Sequence, residues 1–336
     1  RKGATLNLKG GAENILDKTV SPTNFAIRPD DFFGIAPKLI LKEGAALKLG
    51  SPIFFSKKNP HIKFVSPIAG TITSVVRGPK RKIENIIIKA STKQDSIKHS
   101  VSGWDKKNRD ELKSLLTSSG NWPFIHQRPY GTIANPTDTP KAIFVSTVKT
   151  DPLRGDLQFI LKDQKNDFQL GINLLNKLVD QQVFLGVEKE FSDYFESIEG
   201  VQHYTVRGPH PAGNLSLHIQ ELTPLNIGER IWTVNAEDVA NLGRFLSSGI
   251  FCPRRTVAIS GNAVENPKYF QTTIGAELQP FLRKVGTTDK KIRVINGDVL
   301  TGDDSTSNCF LGYFNNLVTV IPVSYTHLTL PTTWSV

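Results

Sequence analysis

Three histidines, His203, His210 and His218, fall within sixteen residues, and two of them lie in the stretch GPHPAGNLSLHI (208–219). Histidine, proline and glycine at that density suit a metal site, a cofactor cradle or a rigid corner. Zinc ligands usually come as closer pairs or at helical i, i+4 spacing. His210 stands between two prolines with no partner ligand beside it, and His218 falls in an alternating run, LSLHI, that reads as a strand. Hydrogen-bonded structural histidines are therefore the favoured reading, and no metal is expected. The prolines at 209 and 211 fix φ near −65° and the glycines permit turns, so Gly208, Pro209, His210, Pro211 and Gly213 form a stiff corner.

Other chemistries are tested the same way. A dinucleotide site needs Gly-x-Gly-x-x-Gly between a strand and a helix, where backbone N–H groups meet the pyrophosphate. After the apolar run KAIFVSTV comes KTDPLRGD, with one glycine, and no cradle follows QQVFLGVE. No Gly-x-Ser-x-Gly elbow occurs, and the acid pairs Asp30–Asp31 and Asp303–Asp304 lie in turn-like settings. No catalytic residue is assigned. A quinone needs a flat apolar slot with one or two hydrogen-bond donors for its carbonyl oxygens. PDDFFG (29–34) and NWPFIHQRPYG (121–131) supply Phe32, Phe33, Trp122, His126, Arg128 and Tyr130. These types suit a quinone slot and a domain interface equally well.

The chain has 336 residues, which suggests about two or three domains. Two cysteines, Cys252 and Cys309, cannot hold a four-cysteine iron–sulfur cluster or a structural zinc ion. No run approaches the ~18 apolar residues of a membrane-spanning helix. Forty-one basic against thirty-one acidic residues give a net charge of +10, which draws attention to anionic surfaces. The basic residues are dispersed in short clusters such as SKKNPHIK and RGPKRK, without a nucleic-acid-binding motif, so a membrane or protein surface is preferred to nucleic acid. The absence of methionine suggests truncation at the start. VSYTHLTLPTTWSV (323–336) reads as a non-native tail.

The elements that must position these residues follow from periodicity. Residues 1–100 carry short β-branched runs with turn residues every eight to twelve positions, as in a barrel-sandwich hybrid of biotinyl or lipoyl type, preceded by an N-terminal extension, with Gly44, Gly50 and Gly70 at its turns. A modified lysine at Lys57 or Lys58 is less expected there than a rigid β-platform with a basic loop. Residues 101–140 read as a connector with a short amphipathic helix ending at Gly120. Residues 141–250 alternate β-α-β-α-β, a Rossmann-like parallel layer lacking its cofactor loop. One helix carries Phe168, Ile172, Leu175 and Val179 with Asn166 as cap, and a second runs from an Asn235 cap to Gly249. Residues 251–322 return to strands around one helix, an α+β order that fits a β-grasp module of SLBB type. The whole is an α+β and α/β multidomain chain.

KKNPHIKFVSPIAGTI with RGPKR (57–81), SGNW with RP (119–129), KAIFVSTVKTDPL (141–153), GPHPAG (208–213), DVANLGRF (238–245) and RVINGDVLTG (293–302) occur in one order. In this combination the chain resembles the A subunit of the bacterial Na+-translocating NADH:quinone oxidoreductases (Na+-NQR), in a Bacteroidetes-like version truncated at both ends. The resemblance implies a peripheral subunit on the cytoplasmic face of the bacterial inner membrane. Its partners would be the other five subunits, especially the membrane-bound ones, the membrane surface and quinone. NADH, flavins and iron–sulfur centres would sit on partner subunits, with no FMN or Fe–S on this chain. The complex would be a translocase and oxidoreductase that couples NADH oxidation and ubiquinone or menaquinone reduction to Na+ export. This chain alone would catalyse no redox step. The family links quinone to Arg28 through Ile35, hence Arg28, Asp31, Phe32, Phe33 and Gly34, and to Arg128, Pro129 and Tyr130. The alternatives are a docking platform of the same complex with no quinone contact, or a subunit of a related Rnf-type complex. The GPHPAG corner then marks the edge of a former cofactor site.

Overall fold

The computed structural model describes residues 3–188, 192–288 and 291–323. The sequence expected to be a non-native tail lies outside the described residues apart from Val323. After β1 (Glu13–Asp17), the first unit contains β2 (Asn24–Ile27), β3 (Pro37–Leu39), β4 (Ala46–Leu47), β5 (Pro52–Ser56), β6 (Lys63–Val65), β7 (Gly70–Arg77) and β8 (Ile83–Ala90). These make two small sheets, ordered β2-β8-β7-β4 and β3-β5-β6. Their facing side chains close a barrel-sandwich core of Ile53, Phe54, Phe64, Ile72, Ile86 and Ile88. The rings of Phe54 and Phe64, opposite one another across β5 and β6, stack at 4.5 Å. Gly44 and Gly50 sit at left-handed φ, as their turns require.

The second unit begins with α1 (Arg109–Ser118), fixed at its start by a reciprocal capping box of Asn108 and Glu111. It continues through β9 (Ile125–Arg128), β10 (Thr132–Ile133), β11 (Ala142–Ser146), α2 (Leu157–Leu161), α3 (Lys165–Leu178), β12 (Gln182–Glu188), α4 (Ser192–Glu196), β13 (Gln202–Val206), α5 (Leu215–Leu222), β14 (Ile231–Asn235) and α6 (Ala236–Ser248). The sheet runs β10-β9-β14-β11-β12-β13. β14, β11, β12 and β13 are parallel, and β9 joins antiparallel to β14. α3 and α6 cross so closely that a Cβ on Gly243 would lie 1.7 Å from the Asp167 carbonyl oxygen, and one on Gly171 2.0 Å from that of Val239.

Three local expectations are corrected here. LSLHI is not a strand but most of α5. Asn214 caps it by accepting from the Ser216 N–H at 3.0 Å, and Ile219 turns to the sheet. A five-residue alternating run is too short to settle its period, and a parallel crossover from β13 to β14 calls for a helix. Asn166 does not cap α3; the helix starts at Lys165 after Gln164, and Val179 follows its end. The Asn235 amide stands at the α6 N-cap position but donates to Asp238 at 3.2 Å instead of accepting from the first turn.

The third unit contains β15 (Arg254–Ser260), β16 (Lys268–Thr273), α7 (Gln279–Val285), β17 (Ile292–Asn296), β18 (Asp303–Asp304) and β19 (Leu317–Pro322). Its mixed sheet is ordered β1-β16-β15-β19-β17-β18, with α7 covering one face through Phe281, Leu282 and Val285. β1 pairs parallel to β16 and so straps the beginning of the chain onto this β-grasp module.

Candidate functional site

The loop between β18 and β19 carries Tyr313 and Phe314 into a seam shared by all three units. The segment before β3 approaches from the first unit. There Arg28 and Asp31 form a 2.7 Å ion pair across one 3₁₀ turn, and Asp31 accepts the Tyr313 backbone N–H at 2.9 Å. Burial pushes the Asp31 carboxyl up, and the Arg28 charge pulls against it. From the third unit, Arg255 donates to the Tyr313 carbonyl oxygen through Nε at 3.2 Å and Nη2 at 2.8 Å. Arg255 also pairs with Asp238 at 2.7 Å, both side chains buried.

The aromatic rings follow this polar frame. Phe32 meets Phe64 at 4.5 Å, Tyr313 at 4.6 Å and Phe314 at 5.7 Å, all edge-on. Phe314 reaches His126 of β9 at 4.6 Å. Burial, reinforced by Arg128, brings the His126 imidazole down to about 4, so it is neutral at physiological pH. A Cβ on Gly34 would lie 3.2 Å from the Thr132 methyl group, which places the 28–34 loop against the β9–β10 hairpin. Two guanidinium nitrogens in this seam, Arg28 Nε and Arg128 Nε, are buried without a hydrogen-bond partner.

The structure thus brings Arg28, Asp31, Phe32, Gly34, His126 and Arg128 to one seam. Trp122 is placed elsewhere: its indole is fully buried in the α/β core, donating to the Ala134 carbonyl at 2.7 Å and meeting Trp232 edge-on. Phe32 is core, enclosed by its ring neighbours. Phe33 is 70% exposed and Tyr130 58% exposed, on the outer rim. Arg230 lies over the Tyr130 ring at 5.0 Å, and the Arg128–Pro129 bond before it is cis. Tyr313, Phe314 and Arg255 are not among the residues that sequence reasoning singles out. The available signals were an aromatic pair in a polar loop, GYFNN, and the doublet Arg254–Arg255 opening an apolar strand.

The GPHPAG corner packs on the loop after β11. His210 Nδ1 lies 3.3 Å from Thr150 Oγ1 and 3.5 Å from the Asp151 carboxylate, and the Gly213 N–H donates to Thr150 Oγ1 at 3.0 Å. His218 bridges the Tyr204 hydroxyl and the Ala212 carbonyl, and His203 meets the Phe195 carbonyl. Each histidine has structural partners. Among the described residues no group of three or more His, Cys, Asp or Glu could hold a metal ion.

In an open α/β sheet a nucleotide lies outside the strand ends where the order reverses, here between β11 and β14. Side chains narrow that place. Asp156 caps α2 with its own carboxylate at 3.0 Å, and Glu237 and Asp238 occupy the first turn of α6. Burial raises both α6 acids, Glu237 to about 7, while Arg255 holds them back. Lys149, the third residue after β11, donates to Asn316 at 2.8 Å, and burial draws its ammonium down. A void of about 30 Å³ is left between Lys149, Glu237, Asp238, Phe314 and Asn316, one of about 120 Å³ lies between Lys149, Arg154 and Asp156, and a cleft of about 540 Å³ opens beyond them at Thr150, Arg154, Glu188 and Gly208. At the start of α2 the Asp156 carboxylate already takes the Phe159 N–H, while Arg255 balances Asp238 at the start of α6.

Barrel-sandwich, doubly wound α/β and β-grasp units joined at a seam define a three-module protein. Comparison with known proteins gives the family. Residues 1–91 match the family described as the NqrA N-terminal barrel-sandwich hybrid domain, 107–251 the NqrA second alpha/beta domain, and 256–307 the NQRA C-terminal domain. The A subunit of the Na(+)-translocating NADH-quinone reductase of Rhodopirellula baltica is 33% identical over 96% of this chain and 72% of its own length. Those of Neisseria gonorrhoeae and Vibrio atlanticus are each 30% identical over the same shares. A solved NAD+-reducing [NiFe]-hydrogenase in the air-oxidized state is a looser match, with 12% identity, a TM-score of 0.47 and coverage of 69% of this chain and 53% of that one, too distant to bear on function. The chain belongs to the NqrA family, the A subunits of the Na(+)-translocating NADH-quinone reductases.

Proposed function

We propose that this chain is the peripheral, quinone-associated subunit of a Na+-pumping NADH:quinone reductase, held at the cytoplasmic face of the bacterial inner membrane. NADH, flavins and iron–sulfur centres belong to its partner subunits in this reading. The names of its relatives support membership of such a complex. Among the described residues no helix is long and apolar enough to cross a membrane. The Na+ path is accordingly assigned to the membrane-bound partners.

One observation carries the quinone contact. Two separate segments, 28–34 and 126–130, converge beside Phe314 and leave the Nε groups of Arg28 and Arg128 buried and unpartnered. A quinone carbonyl is an acceptor, and a guanidinium donor strengthens as negative charge gathers on that oxygen during reduction. The seam rings already pack on one another, so the head group lies toward the rim formed by Phe33 and Tyr130. His126, neutral, adds polarity there without adding charge. The test is photo-crosslinking with a quinone analogue in the assembled complex. Adducts are expected within 28–34 or 126–130. Adducts confined to membrane subunits would leave this chain a docking platform without quinone contact.

A further inference from the structure

The tip of the β7–β8 hairpin has an unusual backbone. Lys80 has φ 56° and ψ 26°, and Arg81 has φ 59°. Two successive left-handed residues are ordinarily Asn and Gly in hairpin turns, because a Cβ crowds the neighbouring carbonyl in that conformation. Here the positions hold two long cationic side chains. Both are exposed, and neither side chain has a hydrogen-bond or ion-pair partner among the described residues. The strain is therefore not offset by any hydrogen bond or ion pair that the Lys80 or Arg81 side chain makes among the described residues. Residues kept at strained positions without an internal partner direct attention to an external one.

The tip is braced rather than loose. The Gly78 N–H donates to the Lys82 carbonyl at 2.9 Å, the Lys82 N–H to the Pro79 carbonyl at 3.2 Å, and Arg77 Nη1 to the Arg81 carbonyl at 3.1 Å. Lys82 then pairs with Asp30 at 2.7 Å, which fastens the tip to the loop that bears the exposed Phe33. A narrow convex hairpin end, with unpaired cations and one projecting aromatic ring on the adjoining loop, offers no groove for a peptide. It matches a flat layer of anionic headgroups, where cations meet phosphate and aromatic rings settle at the apolar boundary.

We infer that the β7–β8 tip is the membrane-contacting edge of this chain, with Lys80 and Arg81 seated on anionic phospholipid headgroups and Phe33 entering the interface beside them. This deepens the peripheral placement proposed above, on which it rests, and it points the rim of the seam toward the bilayer.

The experiment is flotation of the full chain with quinone-free vesicles of phosphatidylcholine, with and without about 30% phosphatidylglycerol. The chain is expected to float with the anionic vesicles only, and to detach at about 0.5 M salt. The double variant Lys80→Gly/Arg81→Gly should lose vesicle binding by about fivefold or more, while its melting temperature stays level or rises, because glycine relieves the left-handed backbone. Unchanged binding by that variant overturns the inference. So does a native chain that floats equally with neutral vesicles, or with none, the last pointing to an acidic protein partner. Because the vesicles hold no quinone, none of these outcomes alters the crosslinking result that tests the quinone contact.

Discussion

Asp31 and Arg255 hold the two peptides that flank the Tyr313 Cα. The Asp31 carboxylate accepts the Tyr313 N–H, and the Arg255 guanidinium donates twice to the Tyr313 carbonyl. These two residues come from the first and third units, and Arg255 also neutralises Asp238 of the second. The backbone of one residue, Tyr313, is therefore tied to the first and third units directly and to the second through Arg255, and the next residue, Phe314, meets Phe32 and His126. Arg255→Ala would leave Asp238 as a buried unpaired acid, at a cost of about 3–5 kcal/mol. Arg255→Lys should recover little, since an ammonium lacks the fork that serves both Asp238 and Tyr313. Urea denaturation of the three proteins measures this.

Glu237 gives stability a pH dependence. Its carboxyl is raised from 4.5 to about 7 in the folded chain, so the folded state binds the proton more tightly than the unfolded one. This contribution is complete below the unfolded value and is lost as pH climbs from about 4.5 through about 7. Glu237→Gln keeps an acceptor for the Thr256 N–H and removes the titration. The variant should hold its stability across that window and exceed the native protein at pH 8 by an amount on the order of 3 kcal/mol. Denaturant midpoints at pH 5 and pH 8 decide it.

His126 should titrate late. Burial and the Arg128 charge hold its imidazole at about 4 against an ordinary 6.5. Its ring resonances in NMR should stay unmoved from pH 8 to pH 5, where an exposed histidine shifts. A midpoint near 6.5 would mean the Phe314 seam is open to solvent. For a base with a depressed folded value the linked stability is present above 6.5 and lost as pH falls toward 4.

Gly243 is a packing requirement. A Cβ there would strike the Asp167 carbonyl, which is backbone and cannot swing away. Gly243→Ala should force α3 and α6 apart and cost about 3 kcal/mol or more, although alanine favours helices. A gain in stability would show that the crossing can relax.

NADH should not bind the isolated chain. Asp156 already holds the Phe159 N–H at the start of α2, a group that a pyrophosphate there would need. Titration monitored by NADH fluorescence is expected to be flat, and saturable binding in the micromolar range would contradict this expectation.

Much of the architecture is legible in the sequence because it rests on local patterns. The capping pair Asn108 and Glu111, the buried run at 142–146 and Gly249 ending α6 in a left-handed cap are local signals, and each appears in an element that periodicity predicts. IWTVN and IHQR do not announce themselves as strands. Both are short, and IHQR takes one side of its ladder from the nearby two-residue β10 and the other from β14, whose sequence lies about a hundred positions away. LSLHI reads as a strand and folds as a helix because five residues cannot separate a period of 2 from one of 3.6.

The seam divides in the same way. The aromatic and cationic types at 28–34 and 126–130 stand out along the chain. Trp122 and Phe32 carry the same chemistry as Tyr130 and Phe33, yet the first two are buried as core and the other two lie open. Elements, modules and the available residue types are therefore properties of the linear chain, written in its periods, caps and turns. Which of those residues meet is a property of the assembled fold. Asp31, His126, Arg255 and Phe314 are brought together by contacts between units, and such contacts leave no periodic trace along the chain.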